Sequence, residues 1–146
     1  MATVRLPPVL IRGFSTVHRW LQQISGGRAL TRFKGEPMIL LTTTGRKTGK
    51  SRTWPLTGLR TGGGWAVAAS NGGHDHHPAW YLNLVANPAA VVTEGRRTVP
   101  VRARVAEGAE RDAQFQRFVE YLDGYAGYAA ATTREIPVVF LEPATP

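Results

Sequence analysis

Hydrophobic and polar positions along the chain predict six β-strands separated by turns and short helices. Apolar residues that alternate or run together, bounded by glycine, proline or asparagine, mark strands at 38–43, 52–59, 65–70, 89–94, 97–105 and 136–141. In the fifth, Val99, Val101, Ala103 and Val105 share one face, which is typical of a strand buried on one side. The pattern favours a mainly β (α+β) fold, a small antiparallel barrel that is closed or partly split.

Apolar residues at helical spacing predict short flanking helices. One begins near Ser15 and ends at Gly26-Gly27, one follows Pro78 and stops at Asn87-Pro88, and one covers 109–122. The inner face of the last holds Phe115, Phe118, Val119 and Leu122. We expect residues 1–35 to form an amphipathic N-terminal helix and a linker, and residues 36–146 to form the barrel domain.

Composition narrows the classes of protein that the chain can belong to. Because the 146 residues include no cysteine, disulfides, thiolate metal sites and cysteine nucleophiles are excluded. No apolar run is long enough to span a bilayer, so we expect a cytoplasmic protein. The amphipathic N-terminal helix adds the hypothesis of a weak, peripheral contact with the inner face of the membrane.

The positive charge is concentrated in the first part of the chain. Of a net charge of +8, residues 1–53 contribute ten Lys and Arg against Glu36 alone, and the remainder holds eight against nine acidic residues. Such a basic half can bind nucleic acid, an anionic membrane surface or an anionic small ligand. Because the aromatic side chains that single-strand binders use for base stacking are sparse in 35–53, we expect no nucleic-acid partner.

A glycine-containing basic turn follows the first strand and is typical of a phosphate site. Between Gly45 and Arg52 lie the cations Arg46, Lys47 and Lys50, whose donors suit an anion. The run resembles a P-loop, but Thr44 replaces its first glycine and a β-like segment with Pro55 replaces its helix. We interpret it as a hairpin turn that binds phosphate, and the alternative is a solvated basic hairpin.

Three histidines and an aspartate occur together at His74, Asp75, His76 and His77. Neighbouring residues of an extended loop cannot readily converge on one ion, and no second ligand cluster lies elsewhere in the chain. We therefore expect no metal site.

Four motifs resemble one known family in order and spacing, over roughly residues 36–143. They are Thr42–Gly49, Ala68–Gly73, Pro78–Leu84 and Arg134–Val139. The chain is similar to the deazaflavin-dependent nitroreductases. That resemblance implies a six-stranded antiparallel split β-barrel of the FMN-binding kind and the coenzyme F420, whose tail carries a phosphodiester and glutamates. FMN is the less favoured coenzyme.

The resemblance also implies a role for individual residues. Those that would hold the phosphate and the acidic tail are Arg46, Lys47, Thr48, Gly49 and Arg52. Those that would line the groove are Trp54, Pro55, Leu56 and Thr57. Those that would contact the deazaflavin ring are Ala68, Ala69, Ser70 and Asn71, and those that would close the pocket are Ala79, Trp80, Tyr81, Leu82 and Asn83. The candidate catalytic donors are Ser70, Tyr125 and Tyr128.

Three hypotheses about function follow. The first is an oxidoreductase that passes hydride from reduced F420 to a small planar acceptor such as a quinone, with nitroaromatics as further substrates. The second is a protein of the same fold that stores or carries F420 or a flavin without turnover. The third is a binder of nucleic acid or of a membrane surface. The sequence leaves a homodimer open.

Overall fold

The structure, a computed structural model, describes residues 32–33, 36–121 and 124–144. It gives side chains from Met38 onwards. The predicted N-terminal helix, the predicted domain boundary at residue 35 and Leu122 lie outside the described residues.

One antiparallel sheet holds the strands of this part of the chain. The strands are β1 (Arg32–Phe33), β2 (Glu36–Thr44), β3 (Ser51–Thr57), β4 (Leu59–Thr61), β5 (Gly64–Ala68), β6 (Ala89–Glu94), β7 (Arg97–Val105) and β8 (Val138–Pro143). Their hydrogen-bonded order is β3-β2-β6-β7-β8-β5-β4, and β1 also pairs with β2.

The two ends of this sheet meet at Gly58. Strands β3 and β4 stand at opposite ends of the hydrogen-bonded order, yet only Gly58 separates them in the chain. The sheet therefore curls back on itself, which confirms the predicted mainly β, split-barrel fold. The predicted strand count differs, because Gly58 breaks the predicted strand 52–59 into β3 and β4, and the two-residue strand β1 precedes β2.

Three helices flank the sheet in the described residues. They are α1 (Ala79–Ala86), α2 (Gly108–Tyr121) and α3 (Gly124–Ala130). The first begins after Pro78 and ends at Ala86, directly before Asn87-Pro88, as predicted, because proline can precede a helix but Pro88 cannot continue one. None of the described helices is long and apolar enough to cross a membrane.

Strand alternation divides the core into two layers. Trp65 and Val67 of β5 point into the barrel, where Leu41 and Val92 meet them. The residue between them, Ala66, faces the other way. On that outer side a second cluster lies beneath the helices and consists of Leu59, Ala66, Ala106, Phe118, Tyr125, Val138 and Phe140. The sheet is thus buried on both faces where the helices cover it.

Two sequence predictions about strands are wrong in detail. Val105, predicted to be buried with Val101, is 39% exposed because β7 ends there and Ala106 turns into the outer cluster instead. The last strand begins at Val138 and not at Ile136, and the intervening Pro137 has no N–H to donate to a ladder.

We predict that Gly58→Ala destabilises the protein. A Cβ at this buried position would lie 2.9 Å from Cδ1 and 3.1 Å from Cγ1 of Ile39, a fully buried side chain of the inner core. Overpacking of this kind costs about 1–3 kcal/mol in the free energy of unfolding, measurable by urea denaturation. Gly127→Ala is the matched control, because Gly127 lies in α3 with nothing within 4 Å, and alanine should stabilise that helix. Equal stability of the two variants would contradict the closure at Gly58.

Candidate functional site

A cavity of about 960 Å³ opens between β3, the loop after β5, α1 and α3. This volume is within the range of pockets that bury a drug-sized ligand. Its lining residues are Met38, Arg46, Trp54, Pro55, Leu56, Thr57, Ala68, Ser70, Asn71, Gly72, His76, His77, Pro78, Ala79, Trp80, Leu82, Tyr125 and Tyr128. Aromatic and aliphatic walls therefore surround a small number of polar groups.

Most of the predicted site residues share this cavity, although they come from distant parts of the sequence. The predicted residues that do not line it are Lys47, Thr48, Gly49, Arg52, Ala69, Tyr81 and Asn83. Ala69 is fully buried in the barrel core. Lys47, Thr48 and Gly49 lie in the turn between β2 and β3, Arg52 lies on β3, and Tyr81 and Asn83 lie on α1.

The basic turn, residues 45–50, closes the hairpin of β2 and β3 as predicted. The amide of Gly45 donates to the carbonyl of Lys50 at 2.7 Å, and the amide of Gly49 donates to the carbonyl of Gly45 at 2.8 Å. Gly49 has a φ of 72°, which favours glycine. Glycine is favoured at position 45 for a different reason, since a Cβ there would lie 3.0 Å from the Lys50 carbonyl oxygen.

The four cations of this hairpin project from it without acidic partners. Arg46, Lys47, Lys50 and Arg52 are exposed, and none joins a salt bridge within the described part of the chain. Arg46 also reaches the cavity lining. Arg52 lies on β3, the strand whose residues Trp54, Pro55, Leu56 and Thr57 line the cavity. The mouth of the cavity therefore carries uncompensated positive charge beside apolar walls.

Asn83 of α1 holds the basic turn in place through two hydrogen bonds. Its Oδ1 accepts a hydrogen bond from the Arg46 amide at 3.1 Å, and its Nδ2 donates to Thr43 Oγ1 at 3.1 Å. The side chain is only 3% exposed, so it is a support of the turn and not part of the cavity surface. One carboxamide thus joins α1, β2 and the turn.

A tight loop after β5 forms the wall opposite β3. Asn71 has a φ of 49°, and its Nδ2 donates to the His76 carbonyl at 3.0 Å. Gly73 has a φ of 83°, and a Cβ there would lie 3.2 Å from the Tyr128 carbonyl oxygen. The loop and α3 are consequently in direct backbone contact. This contact places Ser70 and Tyr128 on neighbouring parts of the cavity wall.

Tyr125 and Tyr128 supply phenol groups on α3. Burial raises the pKa of Tyr125, although a side-chain hydrogen bond with Thr57 opposes that shift. The phenol therefore keeps its proton at neutral pH and is a hydrogen-bond donor there. The two rings meet edge to face, with centroids 5.6 Å apart. Their hydroxyls are the kind of donor that stabilises an oxyanion.

Sequence reasoning missed Met38, Gly72, His76, His77 and Pro78 as cavity residues. From the sequence alone, the histidine run raises only the question of a metal site, and the described residues contain no group of three or more candidate ligands that could hold an ion. His77 instead packs its ring 4.8 Å from that of Tyr81. The sequence signal that could have identified His77 as a cavity residue is its position directly before Pro78 and the motif of α1.

Comparisons with known proteins agree with one another. A family model described as F420H(2)-dependent quinone reductase matches residues 15–143. A F420H(2)-dependent quinone reductase of Mycobacterium tuberculosis is 36% identical over 129 residues, which are 86% of this chain and 87% of that protein. A solved F420-H2 dependent reductase is 43% identical, with a TM-score of 0.67 over 73% of this chain and 94% of its own. A solved domain-swapped dimer is 39% identical, with a TM-score of 0.70 over 90% and 96%.

We predict that Asn83→Ala destabilises the protein and loosens the basic turn. The substitution leaves the buried Thr43 hydroxyl and the Arg46 amide without their partner, at a cost of about 1–3 kcal/mol. Chemical denaturation measures the cost, and hydrogen exchange at residues 45–50 measures the loosening. Asn87→Ala, which removes an exposed carboxamide at the end of α1, is the control. Unchanged exchange in the turn of the Asn83 variant would contradict the supporting role.

Proposed function

The chain belongs to the F420H(2)-dependent quinone reductase family, and from that premise we propose that it transfers hydride from reduced coenzyme F420 to a small planar acceptor such as a quinone. One observation carries the proposal for this chain. Exposed cations that form no salt bridge with any described residue stand beside an apolar cavity whose lining also includes hydroxyl donors. An anionic, flat redox cofactor is the ligand that uses both features.

The described residues fit such a coenzyme. Trp54, Leu56, Trp80 and Leu82 offer apolar surface to a flat ring, and the cavity of about 960 Å³ has room for more than the ring. A phosphodiester and a glutamate tail at the mouth would compensate the exposed charge of the basic turn. When bound, the reduced coenzyme supplies a hydride, which is two electrons and one hydrogen nucleus.

The basic turn would bind the tail. Arg46, Lys47 and Arg52 present charge-assisted donors, and Thr48 and Gly49 add a hydroxyl and a backbone amide beside them. Asn83 contributes indirectly, because it fixes the backbone at Arg46. We therefore propose Asn83 as a positioning residue for the turn and not as a contact to the ring. Ala69 would act in the same indirect way, through the core behind the ring.

The groove residues would orient the ring. Pro55 and Thr57 of β3 line the same cavity as Ala68, Ser70 and Asn71. A bound ring covered by Ala79 and Trp80 of α1 would be shielded from water, which would strengthen the electrostatic interactions inside. Tyr81 would act indirectly, because its ring packs against that of His77 and so joins α1 to the loop before it.

Ser70, Tyr125 and Tyr128 would donate to the acceptor. Reduction of a quinone to a hydroquinol consumes the hydride and one proton, so negative charge develops on a quinone oxygen before that proton arrives. A hydroxyl that stays protonated at neutral pH, as Tyr125 does, can donate a hydrogen bond to this oxygen. The proton itself would come from solvent through the exposed side of the cavity.

The substrate range and the assembly of the protein are also proposed. Nitroaromatics are proposed as further substrates, because they too are planar and electron-poor. A homodimer is proposed on the basis of the 39% identical relative, which is a domain-swapped dimer. The cytoplasmic location and the contact with a membrane surface stay predictions from the sequence.

Turnover with purified components tests the proposed function. Reduced F420 and menadione are mixed with increasing amounts of protein, and coenzyme oxidation is followed by absorbance. We expect a rate proportional to the protein concentration. Tight coenzyme binding without oxidation would favour a storage protein instead, and DNA binding tighter than coenzyme binding, with a steep fall in salt, would favour a nucleic-acid binder.

We predict that Lys47→Ala and Arg46→Ala each weaken coenzyme binding by roughly tenfold, since each removes a charge-assisted contact to the tail. Fluorescence titration measures the dissociation constant, and its salt dependence should become shallower in both variants. Arg102→Ala is the matched control, because Arg102 is an exposed arginine of β7 that does not line the cavity. Equal affinities for all three variants and the wild type would remove the basic turn from the site.

A further inference from the structure

Arg134 fastens the loop that carries Ser70, Asn71 and the histidines. It lies between α3 and β8, and its guanidinium contacts the loop at three points. Nη2 donates to the Ser70 carbonyl at 2.8 Å and Nε donates to the His74 carbonyl at 3.0 Å. Nη1 lies 3.1 Å from Nδ1 of His77. Both ends of the loop are thus held by one side chain.

The third of these contacts fixes the tautomer of His77. A guanidinium has only donors, so Nδ1 of His77 must accept and cannot carry a hydrogen. A neutral imidazole with a bare Nδ1 carries its hydrogen on Nε2. Protonation of Nδ1 would remove this hydrogen bond and place two positive charges together.

The surroundings of the ring leave Nε2 free for a ligand. His77 lines the cavity, and its ring packs against that of Tyr81 at an interplanar angle of 54°, with centroids 4.8 Å apart. Within residues 38–121 and 124–144, no side chain or carbonyl makes a hydrogen bond with Nε2. The polar group that His77 offers to the cavity is therefore a neutral N–H.

We propose that His77 donates a hydrogen bond from Nε2 to a carbonyl oxygen of the redox pair bound in the cavity, and that Arg134 is the positioning residue that imposes this tautomer. The inference rests on the proposed function. The carbonyl belongs either to the coenzyme ring or to the quinone, and both have the same acceptor chemistry. A neutral donor suits an oxygen that gains negative charge as hydride moves.

The proton stays on His77 in this arrangement, because the group acts as a hydrogen-bond donor and not as an acid. Burial and the positive charge of Arg134 both lower the pKa of His77, in that order, which keeps the ring neutral at pH 7. The donor role of His77 is separate from that of Ser70 and the two tyrosines, which are proposed to donate to the acceptor.

Two substitutions of His77 separate the ring nitrogens. In His77→Asn the shorter carboxamide can still accept from Arg134, but nothing remains at the Nε2 position. In His77→Gln the longer side chain can return an N–H to that position. We expect kcat/KM or coenzyme affinity to fall by about tenfold to a hundredfold in His77→Asn and to recover in part in His77→Gln. His74→Asn is the control, because His74 is exposed and does not line the cavity.

The pattern of loss identifies the carbonyl. A weaker coenzyme dissociation constant in His77→Asn assigns the hydrogen bond to the coenzyme ring, whereas an unchanged constant with a lower kcat/KM for menadione assigns it to the quinone. If His77→Asn matches the wild type in both, while the wild type turns over, the inference is overturned and the proposed function stands. If the wild type neither binds nor oxidises the coenzyme, the proposed function fails and the donor role fails with it.

A spectroscopic readout needs no coenzyme. Long-range ¹H–¹⁵N spectra of the free protein should show the His77 hydrogen on Nε2 at neutral pH, and Arg134→Gln should lose that preference and raise the pKa of His77. A hydrogen on Nδ1 in the wild type, or a spectrum that Arg134→Gln leaves unchanged, would overturn the positioning role.

Discussion

The meeting of the two sheet ends at Gly58 is the constraint on which the site depends. Strand β3 carries one wall of the cavity, and the loop after β5 carries the opposite wall, although these strands belong to opposite ends of the hydrogen-bonded order. Glycine is favoured where β3 meets β4, because a Cβ at Gly58 would lie 2.9 Å from Cδ1 of Ile39. The cavity is therefore a consequence of how the barrel closes and not an indentation added to its surface.

Two polar side chains, Asn83 and Arg134, hold segments of the cavity wall in place. At the mouth, Asn83 holds the basic turn against α1, so that its exposed cations stay beside the opening. On another wall, Arg134 holds the loop that carries Ser70 and His77. Both side chains join segments that are far apart in sequence. Charge at one end and neutral donors at the other give the cavity a polarity that matches an acidic tail and a flat ring.

Much of the fold and part of the site could be predicted from the sequence. Alternation located β7, and the turn chemistry of Gly45 and Gly49 located the hairpin of β2 and β3. The break at Gly58 could not be predicted, because the residues around it continue a strand-like pattern and the cause is contact with Ile39. The hydrogen-bond partners of Asn83 and His77 are likewise distant in the sequence. The motifs therefore indicated that this segment lies near the site, but not which hydrogen bonds the two side chains make. The roles of the site residues stay predictions.

The central claim is that the cations of the basic turn and the donors that line the cavity bind opposite ends of one cofactor. The most direct measurement is a crystal structure of the protein with coenzyme F420. The account predicts the phosphodiester within hydrogen-bond distance of Arg46 or Lys47 and the deazaflavin ring between Trp54 and Ser70. A ring outside the cavity, or a tail that leaves it away from the basic turn, would contradict the account.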